Sequence, residues 1–138
     1  MGTQEDLDQL LNALLPFAQQ MLGQHGEFFP FGATMRPDGE MRMAAADAGE
    51  ARPAPEDVLA AVENSLRADA TAGTITAAGT AANVTVDLGE GPGDAIVVDL
   101  DHADGESVRV FLPYSPGESG GYVYGELVGG EGDRRFFS

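Results

Sequence analysis

Apolar residues near the start of the chain recur every three or four positions. Leu7, Leu10, Leu11, Leu14, Phe17, Ala18, Met21 and Leu22 form one stripe and predict a helix over 3–22. Thr3 suits its N-cap, and Asp6 and Asp8 suit the positive first turn. Pro16 has no N–H for the carbonyl of Asn12, so a kink or two shorter helices is expected. From 28 to 46 the period falls to two. Asp38-Gly39 after Pro37 is hairpin-loop chemistry, and pairing Arg36 with Glu40 sets Met35 against Met41, Thr34 against Arg42 and Ala33 against Met43. That register puts Phe29, Phe31, Ala33, Met35, Met41 and Met43 on one face, which predicts a half-buried hairpin.

Small, charged and Pro residues fill 47–55. Pro55 suits the first position of a second helix, with Glu56 and Asp57 in its first turn and Val58, Leu59, Val62 and Leu66 as its stripe. Gly73 closes it. The Ala-rich stretch after Gly73 has no strong preference, but Ala82, Val84, Val86 and Leu88 alternate with polar residues as a strand does. A second hairpin over 94–114 turns at Ala103-Asp104-Gly105. It sets Leu100 against Val108, Val98 against Val110, Ile96 against Leu112 and Asp99 against Arg109. Residues 121–128 read as a further strand, and Arg134-Arg135-Phe136-Phe137 as a short edge strand. The expected fold is α+β in order α-β-β-α-β-β-β, with an added edge strand. Two helices would pack on one face of a twisted, mainly antiparallel sheet of five to six strands. No linker separates a second domain, so 1–138 is expected to fold as one.

Composition changes the functional picture more than the fold. The chain has 138 residues, 23 of them acidic and 7 basic, for a formal net charge of −16. Every basic residue is Arg. Such a chain repels nucleic acid and anionic membranes, so neither is an expected partner. A basic protein is. With no Cys, disulfides and thiolate-held metals are excluded. The acidic N-terminus argues against a signal peptide, and no apolar run reaches the length of a membrane span. A bacterial cytoplasmic protein is the simplest expectation.

Motifs for chemistry are sparse. His25 sits at a helix exit and His102 at a hairpin mouth, where a surface turn residue is expected. Asp99 to Glu106 departs from the calcium-loop pattern, because the twelfth position is Val110 and the flanks are strands. The Gly-rich loops lack phosphate-loop residues, and no Ser lies in a nucleophile elbow. No catalytic residue, cofactor or metal is therefore assigned. An enzyme would need His25 and Glu27 to meet a distant carboxylate in a cleft. The concentrated feature is an acidic patch on the polar sheet face, made of Asp87, Asp99 and Asp101 with Tyr124 and Glu126. Its expected role is to dock a basic protein, as immunity-type proteins do with nuclease toxins. The competing expectation is a small-ligand or regulatory module, with a pocket lined by Phe29, Phe31, Met35, Met41 and Met43. A homodimer through the Tyr122/Tyr124 strand or through Phe136-Phe137 is also open.

Two stretches carry a resemblance. His25-Gly26-Glu27-Phe28-Phe29-Pro30-Phe31-Gly32 after a helix is one. Asp101-His102-Ala103-Asp104-Gly105-Glu106, leading to Val110-Phe111-Leu112-Pro113-Tyr114, is the other. Together they resemble a family of small bacterial α+β proteins from high-GC genomes. The resemblance implies the element order and no activity or site residue.

Overall fold

The computed structural model describes residues 3–25, 30–44, 55–87, 92–117 and 122–132. Helix α1 runs unbroken over Thr3–His25, with Pro16 inside it and exposed to solvent. Strands β1 (Phe31–Met35) and β2 (Met41–Ala44) form the first hairpin, and helix α2 covers Pro55–Ala72. Then come β3 (Ala77–Asp87), β4 (Pro92–His102), β5 (Ser107–Pro116), β6 (Tyr122–Tyr124) and β7 (Val128–Glu131). The α+β class and the element order are as expected. The open antiparallel sheet has the order β2-β1-β3-β4-β5-β6, with β7 also paired to β5.

Both hairpin registers match the alternation argument, pair for pair. Their turns are twins. Arg36 N–H donates to the Glu40 carbonyl at 2.8 Å, and His102 N–H donates to the Glu106 carbonyl at 2.8 Å. Each Asp then takes the N–H of the residue two places on, Asp38 from Glu40 and Asp104 from Glu106. Gly39 and Gly105 supply the left-handed position, at φ 91° and 115°. Since Met35 and His102 both pair with Ala77, the two turns sit at the same end of the sheet.

The helices do not share a face, which corrects the expected layering. Leu7, Leu10, Leu14, Ala18 and Leu22 of α1 pack with Phe31, Ala33, Met35, Ala77, Ala81, Ile96, Val98 and Leu100. Val58, Val62 and Leu66 of α2 pack with Ile75 and Ala78 on the other side. Successive strand residues point to opposite faces, so Ala77 and Ala78 cannot meet the same helix. The Ala-rich segment that gave no clear preference is therefore strand, buried on both faces from Ala77 to Ala82. A parallel correction concerns β2. Met41 and Met43 are 40% and 49% exposed, because α1 does not reach over that edge strand. Phe31 and Met35 are buried in the α1-side core, and Phe29 lies outside the described residues.

Helix α2 ends as its Gly73 predicts. Gly73 N–H donates to the Ala70 carbonyl and Thr74 N–H to that of Asp69, a Schellman arrangement that satisfies two terminal carbonyls. The final strand is split. Tyr124 pairs with Tyr114 and Val128 pairs with Phe111, so residues 125–127 face only Leu112 and Pro113. That is a bulge of one residue, placed where Pro113 has no N–H to offer the ladder. It sends Tyr124 to the α1 side and Val128 to the α2 side. The edge strand expected at 134–137 lies outside the described residues.

Close approach sets a test. A Cβ on Gly32 would lie 2.8 Å from the Gly79 carbonyl oxygen and 3.0 Å from Val62 Cγ1, whereas one on Gly23 in α1 would meet nothing within 4 Å. Gly32→Ala is expected to lower unfolding free energy by about 1–3 kcal/mol through overpacking. Gly23→Ala is expected to raise it by up to about 1 kcal/mol. Urea unfolding curves of the two variants check both signs.

Candidate functional site

The five carboxylate and tyrosine positions expected to form one patch are divided by the sheet. Asp99 and Asp101 lie two apart on β4, facing the α2 side. They are 7% and 0% exposed, so the expectation of exposed carboxylates fails there. Asp99 is gripped by Arg109, with Nε to Oδ1 at 2.7 Å and Nη2 to Oδ2 at 3.2 Å. The same guanidinium sits 5.8 Å over the ring of Phe111. Ser107 Oγ donates to Asp101 Oδ1 at 2.7 Å. Buried carboxylates need such partners, and these hold the β4–β5 pair in register.

Asp87 and Tyr124 are on the opposite, α1 side. Asp87 pairs with Pro92 and Asp101 with Ala78, nine residues along β3, or about 30 Å away. Glu126 is exposed in the bulge between β6 and β7. So the structure unites Asp99 with Asp101, sets Asp87 and Tyr124 on one common face, and leaves Glu126 at the sheet edge.

What the pairing adds to Asp87 and Tyr124 is a row that sequence reasoning missed. Thr85 pairs with Asp94, Asp94 with Tyr114, and Tyr114 with Tyr124, straight across four strands. Tyr122 joins them from β6. Its ring lies 5.5 Å from that of Tyr114 at 86°, and the Tyr124 ring lies 6.3 Å from Tyr114 at 53°. All three tyrosines are half-buried at the rim of the α1-side core, while Asp87 and Asp94 are exposed. Asn83 Nδ2 donates to Tyr114 Oη at 3.3 Å, and Thr85 Oγ1 to Asp94 Oδ1 at 3.4 Å. Among the described residues, no cationic side chain pairs with Asp94. The signal that could have found this row was the 94–114 register itself, which already set Asp94 opposite Tyr114.

Burial raises the pKa of Tyr114 above the ordinary tyrosine range; the Asn83 hydrogen bond opposes this, and Asp94 and Tyr122 add to it. Tyr124 is raised for the same first reason, with Tyr114 and Tyr122 adding to it.

His102 is also corrected. It is a buried strand-end residue rather than a surface turn residue, and its Nε2 lies 2.8 Å from Asp6 Oδ2 in the first turn of α1. Nδ1 lies 3.2 Å from both the backbone nitrogen and the Oδ1 of Asp104, so the ring is held between Asp6 and Asp104. This ties the start of α1 to the second hairpin. Ser107, the nearest hydroxyl along the chain, points to the opposite face from the His–Asp pair. The side chain of His25 and all of Glu27 lie outside the described residues. Among the described residues, no group of three or more His, Asp and Glu is placed to hold a metal ion. Among the described residues, no helix is long and apolar enough to cross a membrane. Comparison with family models, curated proteins and solved structures returns no match to this chain.

Two measurements test these assignments. Arg109→Leu should cost about 3 kcal/mol in chemical denaturation, because it strips a buried carboxylate of its bidentate partner; the 36% exposure of Arg109 keeps the loss at the low end. The second is a phenolate absorbance titration. Tyr114 and Tyr124 should ionise above the ordinary value of 10.0. The folded chain then keeps protons that the unfolded chain gives up. Their contribution to stability is therefore whole below pH 10.0 and declines as pH rises beyond it, and Tyr114→Phe should make that decline shallower.

Proposed function

We propose that the protein is a cytoplasmic, non-catalytic binding protein whose acidic surface engages a basic protein partner, in the manner of an immunity-type inhibitor. Membership of the small bacterial α+β family is proposed with it, on the two stretches that carry the resemblance. The observation that carries the functional reading is the tyrosine–carboxylate row. It combines exposed acid at Asp87 and Asp94 with half-buried aromatic surface at Tyr114, Tyr122 and Tyr124, in a chain of net charge −16. Interfaces that bind tightly use aromatic anchors with a charged rim, and the charge sets on-rate and partner choice.

The docking surface is thus not the patch first expected. Asp99 and Asp101 hold strands together, and the row one face away takes their place. Asp87 and Tyr124 belong to both versions.

Affinity capture at about 50 mM and about 0.5 M salt tests the reading, using the protein and its Asp87→Asn/Asp94→Asn variant. Basic proteins should be recovered at low salt by the parent and released at high salt. The variant should recover markedly less. Equal recovery by an unrelated protein of matched charge, or by the variant, would refute a specific docking role.

A further inference from the structure

We infer that the tyrosine–carboxylate row takes arginine side chains of its partner in preference to lysine, so the partner presents guanidinium groups on an exposed segment. The inference rests on the basic-partner reading and narrows it to one chemistry.

The argument starts from the ring geometry. Tyr114 and Tyr122 stand at 86° to one another, two walls of a corner, and Tyr124 adds a third ring tilted at 53° to Tyr114. Aromatic faces attract cations through their negative quadrupole. Beside this corner, Asp94 is the direct cross-strand neighbour of Tyr114, which sets the two side chains about 5 Å apart at their bases. One flat group can use both features together. A guanidinium stacks on a ring while its N–H fork meets a carboxylate in the same plane. An ammonium is compact and strongly hydrated; it can meet the carboxylate but gains little from the ring walls. Asp87 shares this face of the sheet with Asp94 and Tyr114. The chain itself already makes the combination once, where Arg109 meets Asp99 and covers the Phe111 ring.

Calorimetric titration of the whole protein with oligo-arginine and oligo-lysine peptides of equal length tests the inference. The arginine peptide should bind about three- to fivefold more tightly. Tyr122→Leu keeps apolar bulk and should erase that preference while leaving lysine-peptide binding in place. Asp94→Asn keeps the side chain's shape and should weaken both peptides. If Tyr122→Leu does not fold, the parent's arginine preference and its loss in Tyr124→Leu decide the matter. Equal binding of the two peptides by the parent, or a preference that survives loss of the ring, would overturn the arginine inference and leave basic-partner docking standing. Binding of neither peptide at low salt would overturn both.

Discussion

Residues 77–82 of β3 are covered by a helix on each side, and the rest of the fold is arranged around that double burial. Leu14 of α1 comes down on Gly79, where an added Cβ would lie 2.9 Å from Leu14 Cδ1 and 2.6 Å from Leu100 Cδ2. On the reverse face, α2 closes over Gly32 of the neighbouring β1, where an added Cβ would lie 3.0 Å from Val62 Cγ1 and 3.3 Å from Leu66 Cδ1. Only small residues allow both helices to come within packing distance of one strand. The Ala and Gly content of this segment thus follows from the layering.

Once α1 is seated there, its direction decides what stays open. Its first turn is tied to His102 on β4, Leu14 meets β3, and Phe17 stacks edge-on against Phe31 of β1 at 5.2 Å. The helix therefore crosses the sheet away from β5 and β6. The corner it leaves is where Tyr114, Tyr122 and Tyr124 stand. Tyrosine suits such a rim, since its ring packs on the core edge while its hydroxyl stays wet. The bulge at 125–127 serves the same corner by keeping Tyr124 on the α1 side while the strand continues into β7 with the opposite phase.

Much of this was legible in the sequence where a periodic pattern met a turn signal. The period of two on both sides of each Asp-Gly turn fixes the two hairpin registers, because a slip by one residue would bury Arg42 or Arg109 on the apolar face. The α1 stripe was legible for the same reason. Three features were not. A strand buried on both faces loses its alternation, so residues 77–81 carried no period to read, and with it went the evidence that the helices take opposite sides. Asp99 and Asp101 read as solvent-facing because a carboxylate is normally exposed; only the cross-strand Arg109 hinted at burial, and nothing marked Asp101. Finally, the tyrosine row unites residues from β3, β4, β5 and β6. The second hairpin's register contained one link of it, while the β3 and β6 links depend on pairings that no local pattern specifies.

The division of the carboxylates between the two faces bears on how so acidic a chain could be selective. Its seven basic residues leave a large surplus of negative charge, and that field attracts any cation within about a Debye length of 8 Å at physiological salt. Attraction of this kind speeds encounter without choosing among basic partners. Several acids are already committed: Asp99 to Arg109, Asp6 to His102, and Asp38 and Asp104 to their own turns. Selection has to come from short-range groups whose geometry is fixed before the partner arrives. The cross-strand row provides that rigidity at its centre, because Asp94 and Tyr114 are each positioned by backbone pairing on both sides. In the proposed complex, the net charge would bring the partner to the surface, and the tyrosine corner with Asp94 would decide which cation stays.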